Sequence, residues 1–262
     1  MTKPSIALLS LFTLLASTPG RAEDAKATAL INEVQAKVGT MADLHALKDV
    51  EYSYTYRRGS DLKIDLSIER YVFDGELSYG RYVVHEVFVA PGQEGEVVQA
   101  YDGSQVQATI DGAPIEDPKQ IGLAQFMRPT NFYWFAMMQK LNDPGVVHEY
   151  LGTRTVDGID YEVVDMTFES SGEKKTDRYV LYINPKTSLV DQFLFTIVDF
   201  GVTEPFLMKV EHERFGKVML PVQRRYAEAN WEGTIKDDVA WNEEIMTAIN
   251  FNNGFTRADF TL

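Results

Sequence analysis

From Tyr52 onward the apolar residues recur at every second position, and the runs are parted by dipeptides that turn a chain back on itself. In "YSYTYRR" Tyr52, Tyr54 and Tyr56 fall on one side, and in "LKIDLSIER" Leu62, Ile64, Leu66 and Ile68 do so. A period of two belongs to a strand, whose successive side chains point to opposite faces. Asp74-Gly75, Pro91-Gly92, Asp102-Gly103, Asp111-Gly112, Asp157-Gly158, Asn184-Pro185, Phe215-Gly216 and Asn253-Gly254 arrive at hairpin intervals. Turns this short join antiparallel neighbours, because parallel strands need crossovers of a dozen or more residues. The spacing therefore predicts a meander of antiparallel strands rather than a series of βαβ units. "LVDQFLFTIVDF" is apolar on both faces, with Leu189, Phe193, Phe195 and Ile197 on one side and Val190, Leu194, Val198 and Phe200 on the other. A sheet of that kind needs something lying across it.

Two stretches break the period. Ala27, Leu30, Ile31, Val34 and Val38 recur at helical spacing, with Glu33 and Lys37 opposite and Gly39 as a stop, which predicts one amphipathic helix. In residues 117 to 141, Pro118 and Pro129 each sit near a plausible helix start, so two inserted helices are expected. The end of that insertion, "NFYWFAMMQKL", is apolar on every side, as a helix buried all round must be, and a curved sheet could wrap it. Phe126, Phe132, Tyr133, Trp134, Phe135, Met137 and Met138 suit the wall of an apolar cavity. Aromatic rings supply large contact areas, and methionine repacks easily. The same residues would serve as plain core. Trp231 and Trp241 flank "EGTIKDDVA", which reads as a hairpin between two strands.

At the start of the chain stand Lys3, an apolar run from Ile6 to Ala16, the pair Pro19-Gly20 and small residues up to Ala22. This is the pattern of a secretory signal peptide over residues 1 to 22, cut after Ala22. The apolar run is shorter than the roughly 17 to 25 residues of a spanning helix. A soluble periplasmic or secreted protein is expected, with residues 23–262 as a single domain, since no repeat or linker divides them. The absence of cysteine excludes disulfides, thiolate metal sites and a lipidated cysteine. Removal of Lys3 and Arg21 takes the formal charge from −14 to −16, that is 23 basic against 39 acidic residues. Nucleic acid and anionic headgroups are poor partners for such a surface. A monomer is expected.

Catalytic motifs are missing: there is no GxSxG, HExxH, Walker loop or dinucleotide glycine pattern, and His45, His85, His148 and His212 are scattered. In "EHE" the side chains of Glu211, His212 and Glu213 alternate faces on a strand, which argues against a metal site. Neither an enzyme nor a cofactor is expected. The period-two rows end in a more informative way. Tyr52, Tyr54 and Tyr56 lead to Arg58, and Leu62 to Ile68 lead to Arg70. Phe206, Met208 and Val210 lead to His212, while Val218, Leu220 and Val222 lead to Arg224. At strand ends these side chains would snorkel to water. At the mouth of an apolar cavity they would instead bind an ester or carbonyl at the polar end of a lipid.

The order of signal peptide, amphipathic helix, strands, inserted apolar helices and more strands resembles the LolA/LolB-like periplasmic lipoprotein carrier and outer-membrane lipoprotein-sorting superfamily. The stretches that carry the resemblance are "VVQAYDGSQVQATIDG", "YLGTRTVDGIDYEVVDMTF", "DRYVLYINPKTSLVDQFLFTI", "FGKVMLPVQRRY" and the closing "INFNNGFTRADF". The resemblance implies an α+β, mainly antiparallel fold: a curved half-open barrel sheet with helices packed on its concave side. It also implies an exported binding protein that shields a lipid, acyl chain or lipoprotein acyl moiety, as carrier or chaperone. A basic residue inside the barrel is associated with lipid handling in that family, and Arg58 and Arg70 are the nearest matches. The alternative is a sensor or interaction module that presents the same concave face to a membrane-associated protein. An exported hydrolase is less well supported.

Overall fold

The computed structural model describes residues 24–169 and 176–262; the expected signal peptide over residues 1 to 22 lies outside them. The chain opens with α1 (Ala25–Val38), capped by Asp24, whose side chain accepts from the backbone N–H groups of Lys26 and Ala27, and a short α2 (Met41–His45). A first meander follows: β1 (Asp49–Arg57), β2 (Ile64–Val72), β3 (Leu77–His85), β4 (Val97–Tyr101), β5 (Val106–Ile110) and β6 (Ala113–Pro114). After α3 (Pro118–Ala136) comes a second: β7 (Val146–Val156), β8 (Ile159–Phe168), β9 (Tyr179–Asn184), β10 (Leu189–Ile197), β11 (Val202–Phe215), β12 (Val218–Glu228) and β13 (Asn242–Phe251). Every one of the turn dipeptides except Asn253-Gly254 falls between consecutive strands or begins on the last residue of one.

The two meanders join through β1 and β13 into a single antiparallel sheet of order β6-β5-β4-β3-β2-β1-β13-β12-β11-β10-β9-β8-β7. Its outer strands do not pair with each other, so the sheet is curved and half open rather than a closed barrel. The first helix packs on β7, β10 and β12, whereas α3 lies against β3, β4 and β5 and reaches β12 at its end. The apolar stretch 131–141, which is the end of α3 and the turn that follows it rather than helix throughout, is thus shared between two cores. Phe132, Phe135 and Ala136 pack with Tyr71, Phe73 and Leu220, while Met137, Met138 and Leu141 pack with α1 and with Leu181, Phe193 and Met208.

Four sequence expectations change. The insertion holds one helix instead of two: Pro118 occupies the first turn, where a missing N–H costs nothing, and Pro129 lies inside. Burial on both sides holds the helix across the bond that Pro129 cannot donate to the Gln125 carbonyl. Residues Val198–Phe200 leave β10 as a 3-10 turn, and a bulge between Val190 and Gln192 moves Val190 to the concave cluster beside Phe193 and Phe195. On β2 the faces are reversed: Asp65, Ser67, Glu69 and Tyr71 are buried, whereas Leu66, Ile68 and Arg70 are half-buried on the other side. Trp231 and Trp241 belong to the loop that joins β12 to β13, closed by the bridge between Ala229 and Ile235. Both pack over the second meander with Tyr182, Leu194 and Leu207.

Candidate functional site

One stripe of α3, formed by Ala124, Arg128, Phe132 and Phe135, is buried, as four-residue and three-residue steps along a helix require. Arg128 is therefore a cation at a core position, fully buried. An unpaired guanidinium there would be prohibitively desolvated. Its Nη1 donates to Glu69 Oε2 at 2.9 Å and its Nη2 to the Tyr82 hydroxyl at 2.5 Å. Glu69 in turn accepts from Ser67 Oγ at 2.8 Å and from the Tyr71 hydroxyl at 3.3 Å, and the Tyr71 and Tyr52 hydroxyls lie 3.0 Å apart. With its amide oriented to satisfy both neighbours, Asn131 accepts from Arg128 Nη2 at 2.8 Å and donates to the Met127 carbonyl. Strand β3 makes room with Gly80, where a Cβ would come 2.4 Å from Arg128 Nη1. Burial pushes the Arg128 pKa down, yet Glu69 beside it, with the Tyr82 and Tyr71 hydroxyls, outweighs that and holds it above the ordinary arginine value.

The next face of α3, carrying Leu123, Phe126, Met127, Thr130 and Trp134, stands off the sheet and leaves a cavity of about 290 Å³. That is near the lower end of the roughly 300 to 1,000 Å³ usual for small-molecule sites. Its opposite wall is the row Tyr52, Tyr54 and Tyr56 of β1, with Phe206 and Tyr226 from the second meander. Phe88 and Phe200 stand partly exposed beside it, Phe88 against the Tyr56 ring and Phe200 edge-on to Phe126. At the inner end Arg224 of β12 pairs with Glu244 of β13 at 2.6 Å and donates from Nη1 to the Trp134 carbonyl at 2.9 Å. Trp134 lies in the last turn of α3, whose carbonyls lack partners within the helix and carry the negative end of its dipole, so Arg224 caps the helix from the sheet. The phenols around the cavity are pushed up by burial, Tyr54 well above the ordinary tyrosine value, and stay protonated.

A second, more open groove of about 880 Å³ runs along the other side of α3, between Tyr133, Phe168, Tyr179 and Ile197. Phe126, Thr130 and Trp134, four residues apart, border both spaces and form the ridge between them.

Of the residues singled out in the sequence, the structure brings Phe126, Trp134 and Arg224 together at the cavity, and Tyr133 lines the groove. Phe132, Phe135, Met137 and Met138 are at most 1% exposed and pack in the two cores instead. Arg58 lies beyond the end of β1, in the turn to β2, where it pairs with Asp61 at 2.7 Å. Arg70 lies on the opposite face of β2 from Glu69. It donates to Glu51 at 2.6 Å and stacks over the Tyr79 and Phe255 rings. His212 follows a bulge between Glu211 and His212 and lines neither space. Burial pushes its pKa down to about 4, so it is neutral at pH 7. Glu69, Tyr82 and Arg128 escaped the sequence reading. The one signal for them was the only arginine in the insertion, a charge that had to find a carboxylate elsewhere.

The model of a family of unknown function, DUF6503, matches residues 117–216, the span from α3 to the end of β11. Comparison of the sequence with curated proteins finds no match. Among solved structures, the chain is similar to a DUF1329 family protein from Desulfovibrio piger, with a TM-score of 0.54 at 14% identity over 90% of this chain and 97% of that one. A LolA superfamily protein from Nitrosomonas europaea aligns with a TM-score of 0.52 at 12% identity, over 90% and 97% of the two chains. A domain described as an outer membrane lipoprotein-sorting protein, from Vibrio parahaemolyticus, gives 0.50 at 10% identity, over 90% and 96%. At such identities the likeness is one of fold, and the fold is LolA-like.

Proposed function

We propose that this protein is an exported, non-catalytic binding protein that holds a lipid or acyl chain between α3 and the concave sheet. The observation that carries this reading is the apolar cavity of about 290 Å³ walled by the Phe126-to-Trp134 face of α3, with Arg224 at its inner end. Each methylene moved into it from water contributes roughly 0.8 kcal/mol, against the ordering cost of a flexible chain. The resemblance in fold to a domain described as sorting outer membrane lipoproteins supports a carrier or chaperone role outside the cytoplasm. Residues 23–262 would form the mature protein, acting as a monomer. The cavity anchors would be Phe126, Trp134 and Arg224, whereas Arg58, Arg70 and His212 stand away from it.

Native mass spectrometry of the mature protein from an exporting bacterial host, with organic extraction, tests the reading. Discrete added masses that extract as lipids and diminish in Trp134→Ala are expected. A clean apo mass that also fails to take up added lipid would overturn it, and a protein partner retained after delipidation would favour the interaction-module alternative.

A further inference from the structure

The one cation at the cavity is already matched. Among the described residues lining it, Arg224 is the only cation, and Asp65 and Glu244 are the carboxylates. Arg224 is committed to Glu244 and to the Trp134 carbonyl. Asp65 is held by the backbone N–H groups of Val87 and Phe88 at 2.8 and 2.9 Å and makes no ion pair with a described residue. Behind the wall, Arg128 is spent on Glu69. The lining thus carries one positive and two negative charges, with no guanidinium free for an entering anion. What remains unmatched is neutral in its demands. The Arg224 Nε–H is sealed inside the wall, out of reach of the cavity, whereas Tyr54 lines the cavity and its hydroxyl makes no hydrogen bond to the described residues. A phenol hydroxyl without a protein partner suits a carbonyl or hydroxyl oxygen.

We infer that the cavity selects apolar ligands whose polar end is uncharged, an ester, amide or alcohol, and rejects those ending in a free carboxylate or phosphate. The inference rests on the lipid-holding reading and specifies its ligand. An anionic end would become a third negative charge beside Asp65 and Glu244, with no free cation to pair it. A neutral carbonyl accepts from the Tyr54 hydroxyl at no charge penalty.

Displacement of the uncharged dye Nile red from the delipidated mature protein at pH 8 tests this with two ligands of one chain length, 1-monomyristoylglycerol and myristate. The monoacylglycerol should bind at least about ten-fold more tightly. Glu244→Gln, which frees Arg224, should raise myristate affinity and narrow the gap, and Tyr54→Phe should weaken the monoacylglycerol several-fold without helping myristate. Should Glu244→Gln fail to fold, the wild-type ranking and Tyr54→Phe still decide. Myristate binding as tightly as the monoacylglycerol would overturn the inference while leaving lipid binding intact. Displacement of the dye by neither ligand would overturn both.

Discussion

The two halves of the sheet face the same helix with opposite chemistry. Across the first meander, Tyr52, Glu69, Gly80 and Gln99 stand opposite one another on successive strands, and beside them Tyr54, Ser67, Tyr82 and Val97. Across the second, the corresponding row reads Tyr226, Met208, Phe193, Leu181 and Val164. One half holds α3 by directional bonds to Arg128; the other, apart from the Arg224 cap on the Trp134 carbonyl, holds the end of α3 and the turn after it by apolar contact with Trp134, Met137 and Met138. Hydrogen bonds and ion pairs have one good geometry, whereas apolar contacts tolerate repacking at similar volume. The first meander therefore sets where the helix sits, and the second gives the space beside it freedom to adapt.

Removal of one partner from the polar half should break that division most severely. Arg128→Met leaves Glu69 buried without its cation and should cost about 3 to 5 kcal/mol by chemical denaturation. The double variant Arg128→Met with Glu69→Gln should recover much of the loss, and a fully additive loss would show that the pair is not coupled. The apolar half carries its own large effect through His212. Its pKa is about 4 in the fold against an ordinary 6.5, so the unfolded chain binds the proton first. Stability is complete above pH 6.5 and declines as pH falls toward 4, by on the order of 3 kcal/mol from this group. His212→Gln should flatten that part of the stability-versus-pH curve, and an unchanged slope would assign it to other groups.

Gly80→Ala sharpens the comparison, because the added methyl meets Arg128 and Glu69 within a locked network; a loss of about 1 to 3 kcal/mol is expected from the melting midpoint. At the mild end, Met208→Leu on the apolar face should cost less than about 1.5 kcal/mol, since volume is nearly kept and the neighbours can repack. A Met208→Leu loss as large as that of Gly80→Ala would erase the distinction between the halves.

Legibility in the sequence followed the same line. The second meander could be read well: Phe193 and Phe195 on one face and Leu194 on the other appear as the period of two predicts. The first could not. In "IDLSIERYV" apolar and polar residues alternate regularly, and burial of Leu66 and Ile68 is the natural choice when only hydrophobicity is weighed. Arg128, 59 residues further along the chain, reverses that choice by offering Glu69 a partner inside. Arg224 was placed correctly at the end of its apolar row, but its commitments to Glu244 and Trp134 join elements far apart in sequence, and periodicity holds no record of them.

By itself the sequence determined the strands, their turns and their antiparallel order, because these depend on residues within a few positions of one another. It also showed that residues 131 to 141 are apolar on more than one side. Only the tertiary structure decided that β1 closes on β13, and which face of β2 looks inward. It alone decided which of the apolar side chains of α3 border a cavity and which fill the core. A pattern of period two says that neighbours differ, not which of them is inside; that choice belongs to partners brought together by the fold.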